Sequence, residues 1–371
     1  MTAAPAVPGR VLVAGAGLIG TSVALALRER GAEVWLADAD EATARLAADL
    51  GAGTVLPDLR DAKGIADGAV LAVPPAAVAA TLAHAQDCAV ADWYTDVASV
   101  KQLPVTQARE LGCDLGCFVP GHPLAGRERH GPAAARADLF LGRTWALCPL
   151  PETSPAALDA VTNMVLACGA DPVRADPATH DQWVALVSHA PHLVAAAMAA
   201  RLAPSSVPAD ALRLAGQGLR DVTRIAAGDS ALWTQILTAN AGPVAAVVAA
   251  VANDLAGVAR ALAAADPADL SAAQADVPAL LDQGRAGTAR IPGKHGGQPR
   301  NFTVVQVVLV DRPGELARLF NAAGAAGVNI EDVRIEHSPG LPVGVAELSV
   351  RPDQSAALLD AMEAGGWPVR R

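Results

Sequence analysis

The sequence predicts three domains in series: an α/β domain built on a parallel sheet, an all-α domain, and a small domain of βαββαβ order. From residue 9 to 173, short apolar runs alternate with helix-like stretches, which is the pattern of parallel βαβ units. From 174 to 290 the strand signals stop, and Ala/Leu-rich helical stretches follow one another. A basic, glycine-containing linker at 291–301 precedes the last segment, 302–371.

Length and charge restrict the classes of function. A chain of 371 residues is long enough for two or three domains. It carries 38 acidic and 28 basic residues, for a formal net charge of −10, and has no basic block of the kind that binds nucleic acid or a membrane surface. We therefore expect neither as a partner. An anionic substrate must be held by a few local cations.

Cysteine usage and hydropathy predict a cytoplasmic protein. The five cysteines include no Cys-x-x-Cys pair and no histidines at zinc-finger spacing, so we interpret them as reduced thiols. Residues 1–8 lack the charged region of a signal peptide. The longest apolar run, Ala241 to Ala252, is too short to span a bilayer and is followed by Asn253 and Asp254. We expect no membrane segment.

The first domain opens with a strand, a helix and a second strand. Apolar runs at Val11–Ala14 and Val34–Ala37 predict the strands, and Ser22–Arg30 predicts the helix between them. A further apolar run, Ala69–Val73, predicts a later strand of the same sheet.

A glycine motif joins the first strand to its helix, Gly15-Ala16-Gly17-Leu18-Ile19-Gly20. The glycines permit a tight turn, close approach of a pyrophosphate and close helix packing, and the helix N-terminus offers amide donors to the anion. Asp38 ends the next strand, where it can bind a ribose 2′-hydroxyl, and the nearby Asp40 and Glu41 disfavour a 2′-phosphate. This Rossmann-type pattern predicts NAD rather than NADP. A plain glycine turn is the alternative interpretation. FAD-binding proteins share the glycine motif, but the sequence has no second motif that indicates a flavin.

Two later segments follow apolar strand-like runs and therefore reach the carboxyl edge of the sheet, where the cofactor lies. One runs from Asp96 to Lys101 and contains Ser99; the other runs from Gly121 to Gly126 and contains His122. Both side chains are expected beside the nicotinamide. A structural loop histidine and a turn serine that bonds to backbone are the alternatives.

In the helical domain, Ser188 and His192 lie four residues apart and share one face if the helix survives Pro191, where we expect a kink. His192 could instead be a satisfied packing histidine, and for His180 and His189 we favour that interpretation. The three histidines lack a carboxylate at convincing ligand spacing, so we predict no metal site.

Arg220 and Arg224 are also four apart. Like charges at this spacing destabilise a helix, so we expect an anion to compensate them. A guanidinium binds a carboxylate in bidentate fashion, so both are candidate substrate ligands. For Arg220, an ion pair with Asp221 or Asp229 is an equally good interpretation.

Four motifs together resemble the prephenate and arogenate dehydrogenase family. They are the Gly-His-Pro-x-x-Gly loop at Gly121–Gly126, the Ser-Val-Lys turn at Ser99–Lys101, the Ser-His-x-Pro-His segment at Ser188–His192, and the Arg-Asp-x-Thr-Arg-Ile segment at Arg220–Ile225. With the dinucleotide motif they span residues 11–233 in the family's order.

The resemblance implies a role for each matching residue. His122 would bind the ring 4-hydroxyl and accept its proton while hydride passes to NAD, and Ser99 would share that contact. Arg224 would bind a substrate carboxylate, and Trp233 would line the pocket. The remaining positions implied are Ser188, His192, Arg220, Arg127 and Glu128 for substrate, and Val73, Pro74 and Ser99 for cofactor.

The resemblance also implies a homodimer acting on prephenate or arogenate. A relative acting on 4-amino-4-deoxyprephenate is a third enzymatic interpretation. Many relatives place a small hydroxyl residue before the glutamate, where this chain has Arg127 before Glu128. That cation could contact a carboxylate or pair with Glu128, and the choice of substrate depends on which it does.

The last segment has the strand and helix order of a ferredoxin-like fold. Its expected elements are a strand at Phe302–Val310, a helix at Glu315–Ala325, strands at Val328–Glu336 and Gly344–Val350, a helix at Gln354–Glu363 and a short final strand.

Within this segment, Asp311-Arg-Pro-Gly314-Glu-Leu followed by Gly-Val-Asn329-Ile330 resembles an ACT domain. The resemblance implies an amino-acid effector, tyrosine, bound near Asp311, Gly314, Asn329 and Ile330. An ACT domain kept only for dimerisation is the alternative.

Two other classes of protein remain open from the sequence. A protein that senses NAD and an amino acid without chemistry would lack His122 or Arg224, and both are present. A hydroxyacid dehydrogenase with an ACT domain would not have the long helical middle domain.

Overall fold

The protein forms two compact units, Met1–Ala256 and Gly257–Arg371. The computed structural model describes residues 6–125, 130–204, 207–264, 273–291, 302–337 and 342–370. The division falls inside a helix, Ala241–Ala264, so the first unit contains the α/β part together with most of the helical part. The predicted domain boundaries stay predictions, and the predicted linker lies, apart from Ile291, outside the described residues.

A six-stranded parallel sheet forms the centre of the first unit. Its strands are β1 (Arg10–Ala14), β2 (Glu33–Ala37), β3 (Thr54–Val55), β4 (Gly68–Leu71), β5 (Trp93–Asp96) and β6 (Phe118–Val119). They lie in the order β3-β2-β1-β4-β5-β6. The first three strands therefore extend to one side of β1 and the next three to the other, and the strand order switches between β1 and β4. Val11 and Val13 pack in one core, and Leu12 and Ala14 pack in another. Both faces are therefore covered, as parallel sheets require.

Five helices accompany this sheet: α1 (Leu18–Glu29), α2 (Glu41–Asp49), α3 (Val78–Asp87), α4 (Gln102–Glu110) and α5 (Pro155–Ala167). Helix α1 begins four residues before the predicted Ser22, because the extended backbone of Gly17 lets the helix start at Leu18. Short 3-10 turns lie at Leu59–Asp61, Pro75–Ala77 and Pro132–Ala134.

A small second sheet follows the first. It contains β7 (Gly121–Pro123), β8 (Thr144–Leu147) and β9 (Asp171–Arg174), with β8 in the middle. Strand β7 runs antiparallel to β8, with His122 opposite Ala146. The expectation that His122 lies in a loop was therefore wrong: backbone pairing with β8 holds it in a strand, which fixes the direction of its side chain.

The helical part begins at a well-capped helix, because the Asp176 side chain accepts from the Thr179 amide at 2.9 Å. A π-helical segment, Ala185–His189, and a 3-10 turn, Arg224–Ala227, interrupt the series. No strand lies in the described residues of 175–291, as the sequence predicts. The helices are α6 (Pro177–Val184), α7 (Ala190–Ala200), α8 (Ala209–Arg213), α9 (Gln217–Thr223), α10 (Ser230–Ala239), α11 (Ala241–Ala264) and α12 (Ala273–Thr288).

Two helical stretches are long and apolar enough to cross a membrane when judged by length and composition alone. They are Pro177–Ala200, with a mean hydropathy of 1.4, and Ala241–Ala263, with a mean hydropathy of 1.6. The apolar run Ala241–Ala252 is only the first half of its helix, which continues past Asn253 and Asp254 to Ala264. Helices of soluble proteins pass the same test, so the absence of a membrane segment stays a prediction.

The second unit contains a four-stranded antiparallel sheet in the order β11-β12-β10-β13. Its elements are β10 (Thr303–Val310), α13 (Glu315–Ala325), β11 (Ile330–His337), β12 (Val343–Val350), α14 (Ser355–Ala364) and β13 (Val369–Arg370), with a 3-10 turn at Pro352–Gln354. The predicted βαββαβ order is confirmed. Its core includes Val307, Leu348, Leu358 and Trp367.

Candidate active site

The glycine loop between β1 and α1 has the shape that a dinucleotide needs. A Cβ atom on Gly15 would meet the Ala72 carbonyl oxygen at 2.2 Å, and one on Gly20 would meet the Gly15 oxygen at 1.9 Å. At Gly17 no heavy atom lies within 4 Å of such a position, so the backbone there is open to a ligand. Gly15 also has φ +101°, a conformation that favours glycine. The backbone at Gly15 and Gly20 thus has no room for a side chain, and the backbone at Gly17 is open.

The start of α1 provides an anion-binding end. Gly17 is its N-cap and gives no side-chain hydrogen bond, so the amide groups that begin at Leu18 and Ile19 have no side-chain cap. Val73 follows β4 and lies beside the loop, because a Cβ on Gly15 would meet the Val73 nitrogen at 3.2 Å; Pro74 comes next. The predicted cofactor residues of β1, α1 and β4 therefore meet at one edge of the sheet.

Asp38 lies where β2 ends and faces this loop. One carboxylate oxygen accepts from the Ala16 amide at 2.6 Å, and the other accepts from the Asp40 amide at 2.9 Å. Asp40 in turn caps α2 through the Ala42 amide. The Asp38 carboxylate is thus fixed in direction, as a ligand for ribose hydroxyl groups must be.

The next two strands deliver the candidate catalytic segments. Lys101 is wholly buried, and its ammonium donates to the Asp96 carboxylate and to the Gly121 carbonyl oxygen. Asp96 ends β5 and Gly121 opens β7, so one ammonium ties the Ser99 turn to the strand that carries His122. Ser99 is half-buried, and its hydroxyl makes no hydrogen bond to His122 among the described residues. Its shared contact with substrate stays a prediction.

His122 is buried and hydrogen-bonded to a second histidine. Its Nδ1 lies 2.9 Å from His180 Nε2, and His180 Nδ1 lies 2.8 Å from an Asp181 carboxylate oxygen. Burial holds the pKa of His122 well below its usual value, and the neighbouring charges of His180 and Lys101 act in the same direction. His122 is therefore neutral near pH 7, which is the form that accepts a proton.

Asp181 connects this histidine pair to the Ser99 turn. Its two oxygens accept from the backbone amides of Lys101 at 2.8 Å and Gln102 at 2.9 Å, at the start of α4. Helix α4 has no side-chain cap of its own, so Asp181 supplies the missing acceptor. Neither His180 nor Asp181 was assigned a site role from the sequence.

The Ser188–His192 segment is not one regular helix. Ser188 and His189 lie in the π-helical segment, and Pro191 and His192 lie in the first turn of α7. The predicted irregularity at Pro191 therefore takes the form of a π-helical segment just before it, which is a common feature of functional sites. Ser188 is half-buried, and its contact with substrate stays a prediction.

His189 is buried and satisfied on one side only. Asn240 Nδ2 donates to the Asp181 carbonyl oxygen at 2.8 Å and lies 3.1 Å from His189 Nδ1. The Nε2 atom of His189 has no partner among the described residues. Burial lowers the pKa of His189 to about 4.

His192 stacks on Trp233. The ring centroids are 3.6 Å apart and the planes differ by 13°. A Cβ on Gly228 would meet Trp233 Nε1 at 2.5 Å and His192 Cε1 at 3.0 Å, so this glycine allows the two rings to pack. Two predicted pocket residues are thus in direct contact, and burial lowers the pKa of His192.

The two candidate arginines occupy different elements. Arg220 lies in α9, whereas Arg224 opens the 3-10 turn, and both side chains are exposed. Asp221 accepts from Gln217 and Asp229 caps α10 through the Leu232 amide, so neither is the ion-pair partner of Arg220 that the sequence suggested. Arg127 and Glu128 lie outside the described residues.

The chain matches the nucleotide-binding domain of prephenate dehydrogenase over residues 23–173 and the dimerization domain of prephenate dehydrogenase over residues 176–274. It is 39% identical over 362 residues to a Streptomyces niveus protein named Probable prephenate dehydrogenase NovF, covering 96% of this chain and 98% of that one. The chain belongs to the prephenate dehydrogenase family. It is an oxidoreductase of that family, as the four motifs indicated.

Two solved structures of the prephenate and arogenate dehydrogenase family resemble it closely. One is prephenate dehydrogenase from Aquifex aeolicus with hydroxyphenyl propionate and NAD⁺, at 25% identity and a TM-score of 0.66, covering 75% of this chain and 96% of that one. The other is Synechocystis arogenate dehydrogenase, at 27% identity and a TM-score of 0.62, covering 76% and 99%. The chain has the family's NAD-binding domain, and the predicted cofactor is confirmed.

The second unit has its own polar cluster, on α13. Gly314 is the N-cap of this helix with φ +86°, and the next residue, Glu315, is almost fully buried. Its carboxylate accepts from Arg312 at 2.8 Å, from Arg318, and from Trp367 Nε1 at 2.7 Å. These bonds lower the pKa of Glu315 to about 2, with Arg318 the largest cause.

The predicted effector residues lie in the same unit without forming one cluster of contacts. The Asn329 side chain donates to Glu331 at 2.9 Å, and the Asp311 amide donates to the Pro342 carbonyl oxygen at 2.9 Å. Their role, and the ACT assignment, stay proposals. Among the described residues, no group of three or more His, Cys, Asp or Glu side chains could hold a metal ion.

Proposed function

We propose that the protein catalyses the NAD-dependent oxidative decarboxylation of prephenate to 4-hydroxyphenylpyruvate in tyrosine biosynthesis. The observation that carries the proposal is the neutral, buried His122, placed at the carboxyl edge of the dinucleotide-binding sheet and bonded through Nδ1 to His180. Because Nδ1 is engaged, Nε2 is the nitrogen left for the proton of a substrate hydroxyl group.

The cofactor site fits NAD. The backbone is open at Gly17, the amides at the start of α1 can bind the pyrophosphate, and Asp38 can bind the ribose hydroxyls. When bound, NAD accepts the hydride from the ring carbon that carries the hydroxyl. Once that carbon is oxidised, loss of carbon dioxide makes the ring aromatic, which renders the overall step effectively irreversible.

The helical part supplies the substrate contacts in this proposal. Arg224 binds a carboxylate, since a guanidinium is matched to it in charge and shape. The rings of His192 and Trp233, which stack on each other, are the proposed contact for the six-membered ring of the substrate. Ser99, Ser188, Arg220, Arg127 and Glu128 are further proposed contacts.

Assembly and regulation belong to the same proposal. Helix α11 is apolar but only 6% of its most apolar window is buried, and Leu255 is 57% exposed, so a second copy of the chain is the natural cover for it. Such a homodimer fits the family's dimerization domain. Tyrosine is the proposed effector of the second unit, acting near Asp311, Gly314, Asn329 and Ile330, and a cytoplasmic location is proposed for the enzyme.

The test is NADH formation at 340 nm by the purified full chain, with NAD and either prephenate or arogenate, each with and without tyrosine. Turnover of prephenate with slower or no turnover of arogenate supports the proposal, and the reverse preference assigns arogenate instead. Turnover of neither substrate overturns it and directs attention to a ring with another substituent. A rate unaltered by tyrosine removes the effector while leaving the reaction in place.

A further inference from the structure

His180 and Asp181 form a buried pair directly behind His122. Their exposed fractions are 2% and 1%. Asp181 accepts from His180 Nδ1 and from the amides of Lys101 and Gln102, and no lysine or arginine of the described residues pairs with it. Its negative charge is thus met by dipoles and by one imidazole, which leaves it available to stabilise a positive charge on that imidazole.

The carboxylate fixes where the protons lie. An ionised carboxylate only accepts, so neutral His180 must carry its proton on Nδ1 and present a bare Nε2 to His122. His122 must then donate from Nδ1, which leaves its Nε2 unprotonated. One buried carboxylate therefore determines the tautomer of two histidines in series.

A base in this environment needs such a partner. Burial makes the protonated form of His122 costly, so by itself His122 is a weak proton acceptor. A neighbour that accepts part of the new charge, backed by a carboxylate, lowers that cost. The aspartate of a Ser-His-Asp triad acts on its histidine by the same logic.

We infer that His180 and Asp181 are positioning residues that hold His122 as the Nδ1–H tautomer and take up part of its charge during the reaction. His122 Nε2 takes the proton of the substrate hydroxyl, and the Nδ1 proton of His122 shifts towards His180 Nε2, next to Asp181. When the carbon–carboxylate bond breaks, its electron pair ends on the ring oxygen, and that oxygen recovers the proton from His122 Nε2. No net proton is gained or lost, and the inference rests on the proposed function.

Asp181 serves the second catalytic segment as well. The amides that it binds belong to Lys101 and Gln102, immediately after the Ser99 turn. The charged and titratable groups that face His122 come from every element around it, and they are Lys101 with Asp96, His180 with Asp181, and His189.

The first test reads the tautomers without any turnover. We would record solid-state ¹⁵N spectra of the apoprotein labelled only at histidine, and assign signals by difference with His122→Asn and His180→Gln. The expected result is that both imidazoles carry the proton on Nδ1 in the wild type, and that Asp181→Asn removes this preference. Nε2–H tautomers in the wild type, or tautomers unaltered by Asp181→Asn, overturn the inference.

The second test is kinetic. His180→Gln keeps an acceptor for His122 but cannot take a proton, so we expect kcat to fall at least about tenfold while both KM values stay within about twofold. The acidic limb of the kcat–pH profile should also shift. His84→Gln is the control for loss of an imidazole, because His84 is exposed on α3 and is not among the groups that face His122.

The outcomes separate the two proposals. A loss of kcat in His180→Gln with a pH profile unshifted from that of the wild type indicates loss of packing and overturns the relay. A wild type that oxidises neither prephenate nor arogenate overturns the proposed function, and the tautomer spectra then decide the relay by themselves.

Discussion

Asp181 and Glu315 are both almost fully buried carboxylates with three hydrogen-bond donors, yet their partners differ in kind. Asp181 binds two backbone amides and an imidazole, whereas Glu315 binds two guanidinium groups and an indole. A guanidinium does not release its proton in proteins, whereas an imidazole does so near neutral pH. The first network can therefore move a proton, and the second can only hold geometry. Burial of a carboxylate alone does not distinguish a catalytic network from a structural one; the acidity of its donors does.

The largest effect is expected from removing His122, the base that the Asp181 network holds. We expect His122→Asn to lower kcat by about 10²- to 10⁴-fold, because general-base catalysis acts in the chemical step, while NAD affinity is retained. The measurement is steady-state NADH formation, with NAD binding followed by calorimetry. The exposed His84→Asn is the control and should match the wild type. Unaltered turnover in His122→Asn would remove the base assignment.

The Arg224→Ala variant tests whether Arg224, which is not part of the Asp181 network, binds the substrate carboxylate. A hydrogen bond to a charged group contributes about 1.5–3 kcal/mol, so Arg224→Ala should raise the substrate KM by about 10- to 100-fold with a smaller effect on kcat. Arg213→Ala removes an equally exposed arginine, one that pairs with Asp210, and should leave KM unaltered. If KM is the same in Arg224→Ala and the wild type, Arg220 and Arg127 become the candidates.

Acid should destabilise the two units at different pH values. The folded-state pKa of His189 is lowered from 6.5 to about 4, so the unfolded chain binds more protons between these values; stability is full above pH 6.5 and falls as pH drops towards 4. The pKa of Glu315 is lowered from 4.5 to about 2, so its contribution is full above pH 4.5 and is lost only as pH falls towards 2.

Hydrogen exchange by mass spectrometry at pH 7 and pH 5, corrected for the intrinsic rate, measures this difference by region. Protection should fall around Ala185–Ala200 and persist in α13. In His189→Gln the fall should be smaller, because one titrating group is gone. Equal losses in both regions would contradict the assignment.

The smallest effect on activity is expected from Glu315→Gln. Loss of the ionised acceptor should lower protection of α13 and of the segment around Trp367, while kcat stays at the wild-type value. Asp353→Asn breaks an exposed pair with Arg351 and is the control, because surface ion pairs contribute about 0–1 kcal/mol. A loss of turnover in Glu315→Gln would show that this cluster does more than hold the shape of the second unit.

Local patterns predicted the NAD-binding domain and the backbone shape of its glycine loop. The Gly15–Gly20 loop lies within one βαβ unit, and so does Asp38. The sequence patterns of strand, turn and helix are adjacent there. The βαββαβ order of the second unit followed from alternation in the same way, and Glu315–Ala325 has the predicted bounds.

Long-range polar partners could not be predicted from such patterns. His122 meets His180 across 58 positions, and Glu315 meets Trp367 across 52. Alternation and periodicity say which side chains are buried but not which buried polar groups face one another. An adjacent His180-Asp181 pair on a helix with an apolar face was the available signal, since a carboxylate there is buried only if it has partners. The small sheet that carries His122 was not predicted for a related reason, because strands of three or four residues give too little alternation to detect.

The acceptor that completes α4 comes from a residue far along the chain. Asp181 lies 80 positions after Lys101 and 79 after Gln102, so the start of α4 cannot be finished until the helical part has folded against the sheet. During synthesis, the parallel sheet and its glycine loop can form first, and the catalytic turn is organised only after α6 has been made. A nascent or truncated chain that ends before α6 would therefore fold around its nucleotide site while still unable to hold its base, which ties the appearance of activity to a folding step that follows formation of the sheet.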